Sequence, residues 1–464
     1  MHAVSAGSAA GQGRRRAGKG EWGVARPRVL ALVSLVPAVC AMARAEERPV
    51  TLSEAVALAE KANPELQAAA LRIEAQAART EAVQRMRWPR ATVQSTWSRM
   101  DLPAGVFANK LNSGQFGAAD FDPTYLNNPS ALSHLGTSAL VEVPIDVFGK
   151  VGTMAGAMRA YGDAGDAGRR DATLEIRMRV GEAYRQAEVA GRAVAVTEKV
   201  LAVAKAREGE IEARVQSGGA LRADVLRARA RRREREADVA ERRSQQQMAL
   251  AGLARLLGAP EGVTFVPTEA PPGVTPLAGG EAEWVGRALR QRPVLQAARR
   301  KREAASAFLK NERNGLLPDI GAFGQVWDNR IGSDRGSQAW AVGVGLKWTP
   351  WDAGRGKREA AATAEQRAAE EDVRAVQDQV RLEVALAYRR AIAARERHAA
   401  AAGGLDEGRE ALRVVQERRK AGMATLTDEL ETETAALGAA LSEIAAAAEV
   451  AMADAALARA AGEI

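Results

Sequence analysis

The chain has 464 residues, of which 47% are hydrophobic, 27% are charged and only 4% are aromatic, so a large core must be built mainly from aliphatic side chains. It contains one cysteine, Cys40, and three histidines, which excludes a disulfide framework and a cysteine-ligated metal site. The formal net charge of +8 is concentrated at the amino terminus. Residues 46–464 hold 59 basic and 57 acidic side chains, a net charge of +2, so nucleic-acid binding has no support from composition.

Residues 1–45 are predicted to form a secretory signal peptide. A segment rich in arginine precedes an apolar run over 29–43, and Ala43-Arg44-Ala45 supplies a small-x-small cleavage site. The run of about 15 residues is too short to span a bilayer comfortably as a helix. Acylation of Cys40, as in a lipoprotein, is the alternative, but Val39 precedes it where a small residue is needed.

The remainder of the chain is predicted to be a duplicated unit. Four pairs of motifs recur in the same order: Asn63-Pro64-x-Leu66 with Arg292-Pro293-x-Leu295, Pro144-x-Asp146-x-x-Gly149 with Pro350-x-Asp352-x-Gly354, Val180-x-x-x-Tyr184 with Val384-x-x-x-Tyr388, and Gly218…Asp224 with Gly422…Asp428. We therefore assign residues 46–257 to a first structural repeat and 281–464 to a second. The stretch 258–280, rich in glycine and proline, is interpreted as a linker.

Each repeat is predicted to contain one very long helix and two shorter ones. The long helices are expected over 151–217 and 355–421, each of 67 residues, or about 100 Å at 1.5 Å per residue. The shorter helices are expected over 51–87, 223–257, 281–314 and 425–461. Because two short helices add up to nearly one long helix, we expect them to stack end to end beside it. The predicted fold is mainly α with a small β part, in which the helices form a tall wall.

Four segments have the two-residue periodicity of β-strands: 91–100, 138–145, 319–329 and 339–348. In the last of them Trp340, Val342, Val344, Leu346 and Trp348 share one face. Eight steps cover roughly 26 Å, close to the apolar belt of an outer-membrane barrel. Trp340 and Trp348 are placed to join the two aromatic girdles of such a barrel. A pair of soluble hairpins packed on helices is the alternative.

If these strands lie in a membrane, the protein must oligomerise. Four strands cannot close a barrel, because small barrels need about eight, and open sheet edges are not tolerated in lipid. The segment 107–128, which is rich in asparagine, glycine, aspartate and phenylalanine, is predicted to be a long external loop between the first two strands.

The duplicated pattern resembles the TolC-type outer-membrane efflux protein family. The resemblance covers nearly all the chain after residue 45, and it depends on Leu52-x-Glu54-Ala55…Asn63-Pro64-x-Leu66, on the two Pro-x-Asp…Gly junctions, and on Gly218…Asp224 with Gly422…Asp428. It implies a homotrimer in which three times four strands close a 12-stranded barrel, with a helical tunnel extending through the periplasm. It also implies the exit duct of a tripartite efflux or secretion pump, whose partners are a periplasmic adaptor and an inner-membrane transporter.

The resemblance further assigns the gate to the tip where the long helices turn back. The turns would contain Gly218 and Gly219 in the first repeat and Gly422 in the second. Asp428 and Glu431 would point inward as two stacked carboxylate rings, with pKa values raised by like-charge repulsion; the alternative is two ordinary exposed acids. Asp224 would close the gate by pairing with a basic residue of the neighbouring long helix. The candidate partners are Arg418, Arg419 and Lys420.

Two other classes of function are weighed against this one. A periplasmic coiled-coil adaptor would have a single helical hairpin beside a small β-rich domain, whereas this sequence predicts two hairpins and strands bounded by tryptophan. An enzyme lacks support, because no catalytic triad, metal cluster or phosphate-cradling glycine loop is found and no cofactor is expected. The arginine-rich run 226–242 interleaves acids and contains no aromatic residue, which favours a solvated helix face over nucleic-acid binding.

Overall fold

The structure, a computed structural model, describes residues 46–219, 221–260, 262–332 and 336–463. The predicted signal peptide at 1–45, with Cys40, lies outside the described residues. The described helices are α1 (Leu52–Ala62), α2 (Pro64–Gln84), α3 (Pro103–Asn112), α4 (Pro123–Asn127), α5 (Lys150–Gln216), α6 (Arg222–Leu256), α7 (Glu281–Gln291), α8 (Pro293–Asn314), α9 (Arg355–Lys420) and α10 (Leu426–Ala461). The strands are β1 (Glu46–Val50), β2 (Arg90–Met100), β3 (Leu132–Ile145), β4 (Val263–Pro267), β5 (Asp319–Ile331) and β6 (Ser337–Lys347).

The fold is mainly helical with a small β part, as predicted. Helices α5 and α9 have 67 and 66 residues, so each is about 100 Å long. Both begin and end within one residue of their expected bounds. Helices α6 and α10 also lie within one residue of expectation.

Two of the shorter helices are broken where the sequence predicted continuity. The segment 51–87 divides at Asn63 into α1 and α2, and 281–314 divides at Arg292 into α7 and α8. In each case a proline follows, and the residue before a proline is disfavoured in the α conformation. Asn63 has ψ 118°, and its side chain accepts hydrogen bonds from the amides of Glu65 and Leu66, so it caps α2.

The helices form a wall around α5 and α9. Helices α2 and α6 both pack along α5, while α8 and α10 both pack along α5 and α9. Each short pair therefore accompanies a long helix, in the expected end-to-end arrangement. The two largest buried clusters centre on Val180 and Tyr184 of α5 and on Val380 and Val384 of α9.

Arg292 joins the start of α8 to the end of α10. Its side chain is 2% exposed, and its guanidinium donates to the carbonyl oxygen of Ala460 at 2.9 Å. It also pairs with Asp171 of α5 at 3.1 Å and with Glu383 of α9 at 2.9 Å. One arginine thus satisfies a helix carboxyl terminus and binds both long helices. At the same joint Gly462 has φ +84°, and a Cβ there would lie 3.3 Å from the Arg292 backbone.

A two-stranded parallel sheet, which the sequence analysis missed, covers part of the first repeat. Strand β1 pairs with β4, which lies inside the stretch interpreted as a linker. Tyr184 is completely buried beneath this sheet, and its hydroxyl donates to the Val50 carbonyl oxygen at 3.1 Å. The same hydroxyl accepts from the amides of Thr268 and Glu269 at 3.1 and 3.0 Å. One side chain of α5 therefore holds the chain after β4 by two hydrogen bonds and the end of β1 by a third.

The four predicted barrel strands form one antiparallel sheet in the order β2-β3-β5-β6. All four are found where the sequence predicts them, although β3 begins at Leu132 and is longer than expected. The segment predicted as a long loop is folded: it contains α3, α4 and a short 3₁₀ turn over 118–121. This connection and the β5–β6 hairpin lie at the same end of the sheet, and the long helices begin at the other.

Candidate functional site

One face of the four-stranded sheet is apolar and uncovered. Alternation and register place four apolar side chains of β6 on this face, together with Val93 and Trp97 of β2, alternate residues of β3 from Leu135 to Ile145, and Val326 of β5. The β6 side chains Trp340, Val342, Val344 and Leu346 are 64–74% exposed in the protomer. Transferring four such side chains from water to an apolar phase is worth on the order of 6–12 kcal/mol. This face, named the apolar face below, has the composition of a lipid contact.

The opposite face of the sheet is mainly polar or small, and its large apolar exceptions include Met100, Leu140, Phe323, Trp327 and Ile331. It carries Thr92, Gln94, Thr96 and Ser98 of β2, Ser138 and Glu142 of β3, Gln325 and Asn329 of β5, and Ala339, Ala341, Gly343, Gly345 and Lys347 of β6. A sheet with one apolar and one polar face is typical of a barrel that separates lipid from a water-filled interior.

The predicted girdle residues lie at different levels of the apolar face. Trp340 is 74% exposed and pairs with Val326, towards the end of the sheet that carries the hairpin. Trp348 is 57% exposed at the end next to the helices, and its indole nitrogen donates to the Leu316 carbonyl oxygen at 3.0 Å. Trp351, which the sequence analysis did not single out, is 80% exposed beyond it. A tryptophan therefore lies near each end of the apolar face, and membership of an aromatic girdle stays a prediction for both.

The two Pro-x-Asp motifs fix the junctions between sheet and long helices. The Asp146 carboxylate accepts from the amides of Val151 and Gly152 at 3.3 Å and from Arg87 at 2.8 Å. Although burial opposes ionisation, these hydrogen bonds lower the pKa of Asp146. Asp352 pairs with Arg358 at 2.5 Å and accepts from the Gly354 amide at 2.8 Å, which lowers its pKa as well. These aspartates set the direction in which α5 and α9 leave the sheet.

The predicted tip turns lie at the far ends of the long helices. Gly218 and Gly422 both have φ +76°, a left-handed conformation that glycine adopts without strain. The Gly219 amide donates to the Arg214 carbonyl oxygen at 2.7 Å, and the Met423 amide donates to that of Arg418 at 2.8 Å. The two turns therefore close their helices with the same hydrogen-bond pattern.

Asp428 and Glu431 are both exposed on α10 in the protomer. Asp428 belongs to a capping box: its carboxylate accepts from the Thr425 amide at 2.8 Å, and its own amide donates to the Thr425 hydroxyl at 3.1 Å. Hydrogen bonding to the Thr425 backbone lowers the pKa of Asp428. The cause is the capping box, which the sequence analysis did not consider. The rise expected from like-charge repulsion would require the carboxylates of neighbouring copies, so it stays a prediction for the assembly.

Two further acids of α10 form a buried ion cluster that the sequence analysis missed. Glu429 is 3% exposed and Glu433 is 7% exposed. Glu429 pairs with Arg207 of α5 and with Arg419 of α9, and Glu433 pairs with Arg207 at 3.3 Å. We name these four residues the tip cluster. It ties the first two turns of α10 to both long helices.

Asp224 has different contacts from those predicted for a closed gate. Its carboxylate pairs with Arg227 at 3.4 Å and lies 3.4 Å from the Leu221 amide. Among the contacts found in the described part of the protomer, Asp224 pairs with neither Arg418 nor Arg419. Arg419 instead binds Glu429. Both arrangements are local to one chain, and the gate-closing pair of Asp224 stays a prediction for the assembly.

A family comparison decides the class of protein. Residues 55–259 and 284–463 match the family model described as "Outer membrane efflux protein". The chain belongs to the outer membrane efflux protein family. Members of this efflux family are channel proteins, which favours the channel over the periplasmic adaptor and the enzyme. No curated protein sequence matches the chain.

Solved structures share the fold of this efflux-family chain at low identity. A membrane protein from Pseudomonas aeruginosa superimposes with a TM-score of 0.72 at 22% identity, covering 89% of this chain and 93% of the other. The CmeC outer membrane channel of Campylobacter jejuni gives 0.72 at 17% identity, covering 89% and 85%. The MtrE outer membrane channel of Neisseria gonorrhoeae, in its open state, gives 0.69 at 21% identity, covering 89% and 88%. The fold is therefore that of outer membrane channels.

A groove between α6 and α10 completes the tip of this efflux-family protomer. It has a volume of about 780 Å³ and is lined by Arg227, Arg231, Leu430, Glu431 and Thr434 among others. Arg231 donates to the Leu430 carbonyl oxygen at 2.9 Å, and Arg235 donates to the Thr434 hydroxyl at 3.0 Å. Glu431 thus lies beside basic side chains of α6. The arginine-rich run of α6 serves helix-to-helix contacts in this protomer.

The tip cluster had a weak signal in the sequence. Glu429 and Glu433 are four residues apart and therefore share one face of α10, but so do many exposed acids in this chain. Only the positions of Arg207 and Arg419, brought in from two other helices, distinguish the buried pair from the exposed Asp428 and Glu431.

Proposed function

We propose that three copies of this chain form an outer-membrane duct that conducts cargo passively through a tripartite efflux or secretion pump. One observation carries the proposal: a four-stranded sheet with an uncovered apolar face is attached to helices about 100 Å long. The sheet is the length of a membrane span, and the long helices α5 and α9 are too polar to share that environment. Helix α10 is long and apolar enough to cross a membrane, but it packs along both long helices. The chain would place the sheet in the outer membrane and the helices in the periplasm.

The open edges of the sheet support oligomerisation. Strands β2 and β6 each pair on one side only among the described strands, and unpaired backbone groups are too costly in lipid. Joining β6 of one copy to β2 of the next satisfies both edges. Three copies give 12 strands, and the number three comes from the family resemblance.

The helical wall offers a second pair of edges. The main helical partners of α9 are α8 and α10, whereas α2 and α6 pack mainly along α5. Exposed aliphatic side chains remain on these outer helices: Leu382 and Leu386 on α9, Leu71 on α2 and Met248 on α6. If α9 of one copy packs against α2 and α6 of the next, the wall closes into a tube with the same symmetry as the barrel.

The gate in this proposal is a two-state rearrangement of the tip helices. The tip cluster holds α10 against α5 and α9, while Asp428 and Glu431 form carboxylate rings that attract cations at the constriction. Gly218, Gly219 and Gly422 allow the helices to reverse at the tip. Contact with a periplasmic adaptor, which links the duct to an inner-membrane transporter, would shift the tip towards the open state.

The test measures assembly and conductance together. Purified chain is expected to be a trimer by native mass measurement, to pellet with outer membranes, and to form ion-conducting channels in planar bilayers. A chain that stays monomeric and forms no conductance sinks the duct proposal. Recovery from the soluble periplasmic fraction would favour the adaptor instead.

A further inference from the structure

The connection between β2 and β3 is a small folded unit, although a loop was expected. Residues 101–131, named the external cap, contain α3 and α4 and have an interior of their own. Val106 is 4% exposed. The Phe107 and Phe116 rings meet edge to face at 4.8 Å, and Lys110 pairs with Asp120 at 2.6 Å. Such internal contacts give the cap a defined shape and position.

The external cap is turned towards the polar side of the sheet. The Asn109 amide of α3 contacts the Met100 sulfur at 3.9 Å, and alternation places Met100 on the face opposite Trp97. A Cβ at Gly114 would lie 3.6 Å from the Cβ of Ser337, whose face is opposite that of Trp340. Helix α3 also contacts β5. The cap therefore leans over the interior of a barrel, away from its lipid side.

A 12-stranded barrel is narrow enough for three caps to fill its mouth. Twelve strands about 4.8 Å apart, tilted by about 40°, close a circle roughly 24 Å across between backbones. Three helices of 10–12 Å diameter just fit within such a circle. We propose that the three external caps meet at the mouth of the duct and form an outer constriction, at the opposite end from the tip gate. This inference rests on the proposed trimeric duct.

The exposed side chains of the cap fit this arrangement. Leu102, Leu111, Phe121 and Tyr125 are 53–64% exposed in the protomer. The cap stands beyond the strands at the level of water, where an apolar surface gains by being covered. Its partner in this proposal is the cap of a second copy, because the trimer axis lies on the side towards which the cap leans. The constriction is accordingly apolar and aromatic, unlike the acidic constriction at the tip.

The first test removes the cap. A chain in which a short Gly/Ser linker joins Met100 to Leu132 is expected to form trimers with at least twofold higher single-channel conductance. Arg302→Ala, an exposed position of α8 outside both the cap and the sheet, is the control and should leave conductance unchanged. Unchanged conductance in capless trimers overturns the outer constriction and leaves the duct standing. A wild-type chain that never conducts overturns both proposals.

The second test probes the cap intact, in case the capless chain fails to assemble. Residues 46–464 contain no cysteine, so Leu111→Cys and Val342→Cys can be labelled singly. Copper-phenanthroline is expected to cross-link Leu111→Cys between copies, and a charged methanethiosulfonate is expected to lower its conductance. Val342→Cys, facing lipid, should show neither effect. Absence of cross-linking and of any conductance change at Leu111→Cys in assembled trimers overturns the proposal.

Discussion

Tyr184 and Tyr388 lie 204 residues apart in sequence and make the same type of contact in the two halves of the protomer. Each hydroxyl donates to a main-chain carbonyl two residues before the first helix of its own half: Val50 before α1, at 3.1 Å, and Gly279 before α7, at 3.4 Å. The two are not equal, because only Tyr184 is completely buried and accepts two further amide hydrogen bonds.

This inequality gives a matched pair of substitutions. Tyr184→Phe leaves the Glu269 amide without its partner, whereas the Thr268 amide and the Val50 carbonyl oxygen keep their bond to each other, so we expect it to lower the free energy of unfolding by about 1–2 kcal/mol. Tyr388→Phe removes a longer and more exposed bond and should cost much less. Thermal unfolding monitored by circular dichroism measures the difference, and hydrogen exchange should locate it in β1 and β4. Equal losses for both variants would contradict the assignment.

Arg292 should be the most sensitive charged residue of the helical wall. Arg292→Ala would leave Arg459 as the one cation that Asp171 and Glu383 share among the ion pairs of the described residues. It would also uncover the carboxyl end of α10, and we expect a loss of about 2–4 kcal/mol. The exposed Arg302 of the same helix supplies the control, Arg302→Ala, expected within about 0.5 kcal/mol of wild type. Denaturant unfolding of the detergent-solubilised protein measures both. Equal stability of the two variants would show that Arg292 does not stabilise the contact between α8, α10 and the long helices.

Breaking the tip cluster should open the duct. Arg419→Ala frees one side of the buried Glu429 and loosens α10 from α9, so we expect a severalfold longer open time in planar bilayers. Arg413→Ala, on the same helix, is the control, because Arg413 pairs with Glu410 and Glu417 within α9. The gating role of the cluster fails if the two variants show the same open time.

The predicted acidic constriction can be tested by charge removal and by pH. Asp428→Asn with Glu431→Gln should reduce cation selectivity and block by divalent cations, whereas Glu449→Gln, higher on α10, should not. The capping box lowers the pKa of Asp428, so its ionised form stabilises the folded tip. That contribution is present above the unfolded pKa of about 3.9 and is lost as the pH falls through the lower folded value. Selectivity should therefore persist from pH 7 to about pH 4; loss above pH 5 would show that repulsion between copies outweighs capping.

The apolar face makes a directional prediction for insertion. Val342→Arg places a charge towards lipid and should cost about 2–4 kcal/mol near the bilayer midplane, so the yield of trimer in outer membranes should fall sharply. Ala341→Arg, one residue away on the polar face, should insert normally. Heat-resistant trimer on gels measures the yield. Equal yields would mean that the sheet does not face lipid.

The sequence predicted the long elements well because their signals are repetitive. A helix of 67 residues repeats its apolar spacing many times, so α5 was placed within one residue. The alternation from Trp340 to Leu346 marked β6 for the same reason. Short elements lack this redundancy: β1 and β4 have five residues each, and β4 lies in a stretch rich in glycine and proline. Their pairing depends on contacts 217 residues apart in sequence, which no local pattern reports.

The candidate site divides in the same way. Gly218 and Gly422 indicated the turns, because a left-handed backbone conformation favours glycine over other residues. Asp428 was identified by its position after the second turn. The capping role of Asp428 was missed, because an acid three residues after Thr425 is equally compatible with a capping box and with a pore-facing position. Glu429 could not be recognised, because its burial depends on Arg207, which lies 222 residues away in sequence.

The sequence by itself determined the secondary structure of the walls, the duplication of their motifs, and the presence of strands with one apolar face. These properties are periodic, so they can be recognised from residues that are close together in the sequence. Tertiary structure alone decided that Arg292 joins α8 to α10, that Glu429 rather than Asp428 is the buried acid of the tip, and that the external cap leans over the polar side of the sheet. Each depends on which distant helices and strands pack together. The contribution of a charged or apolar side chain to the free energy of folding is set by the groups that surround it, and these come from elsewhere in the sequence.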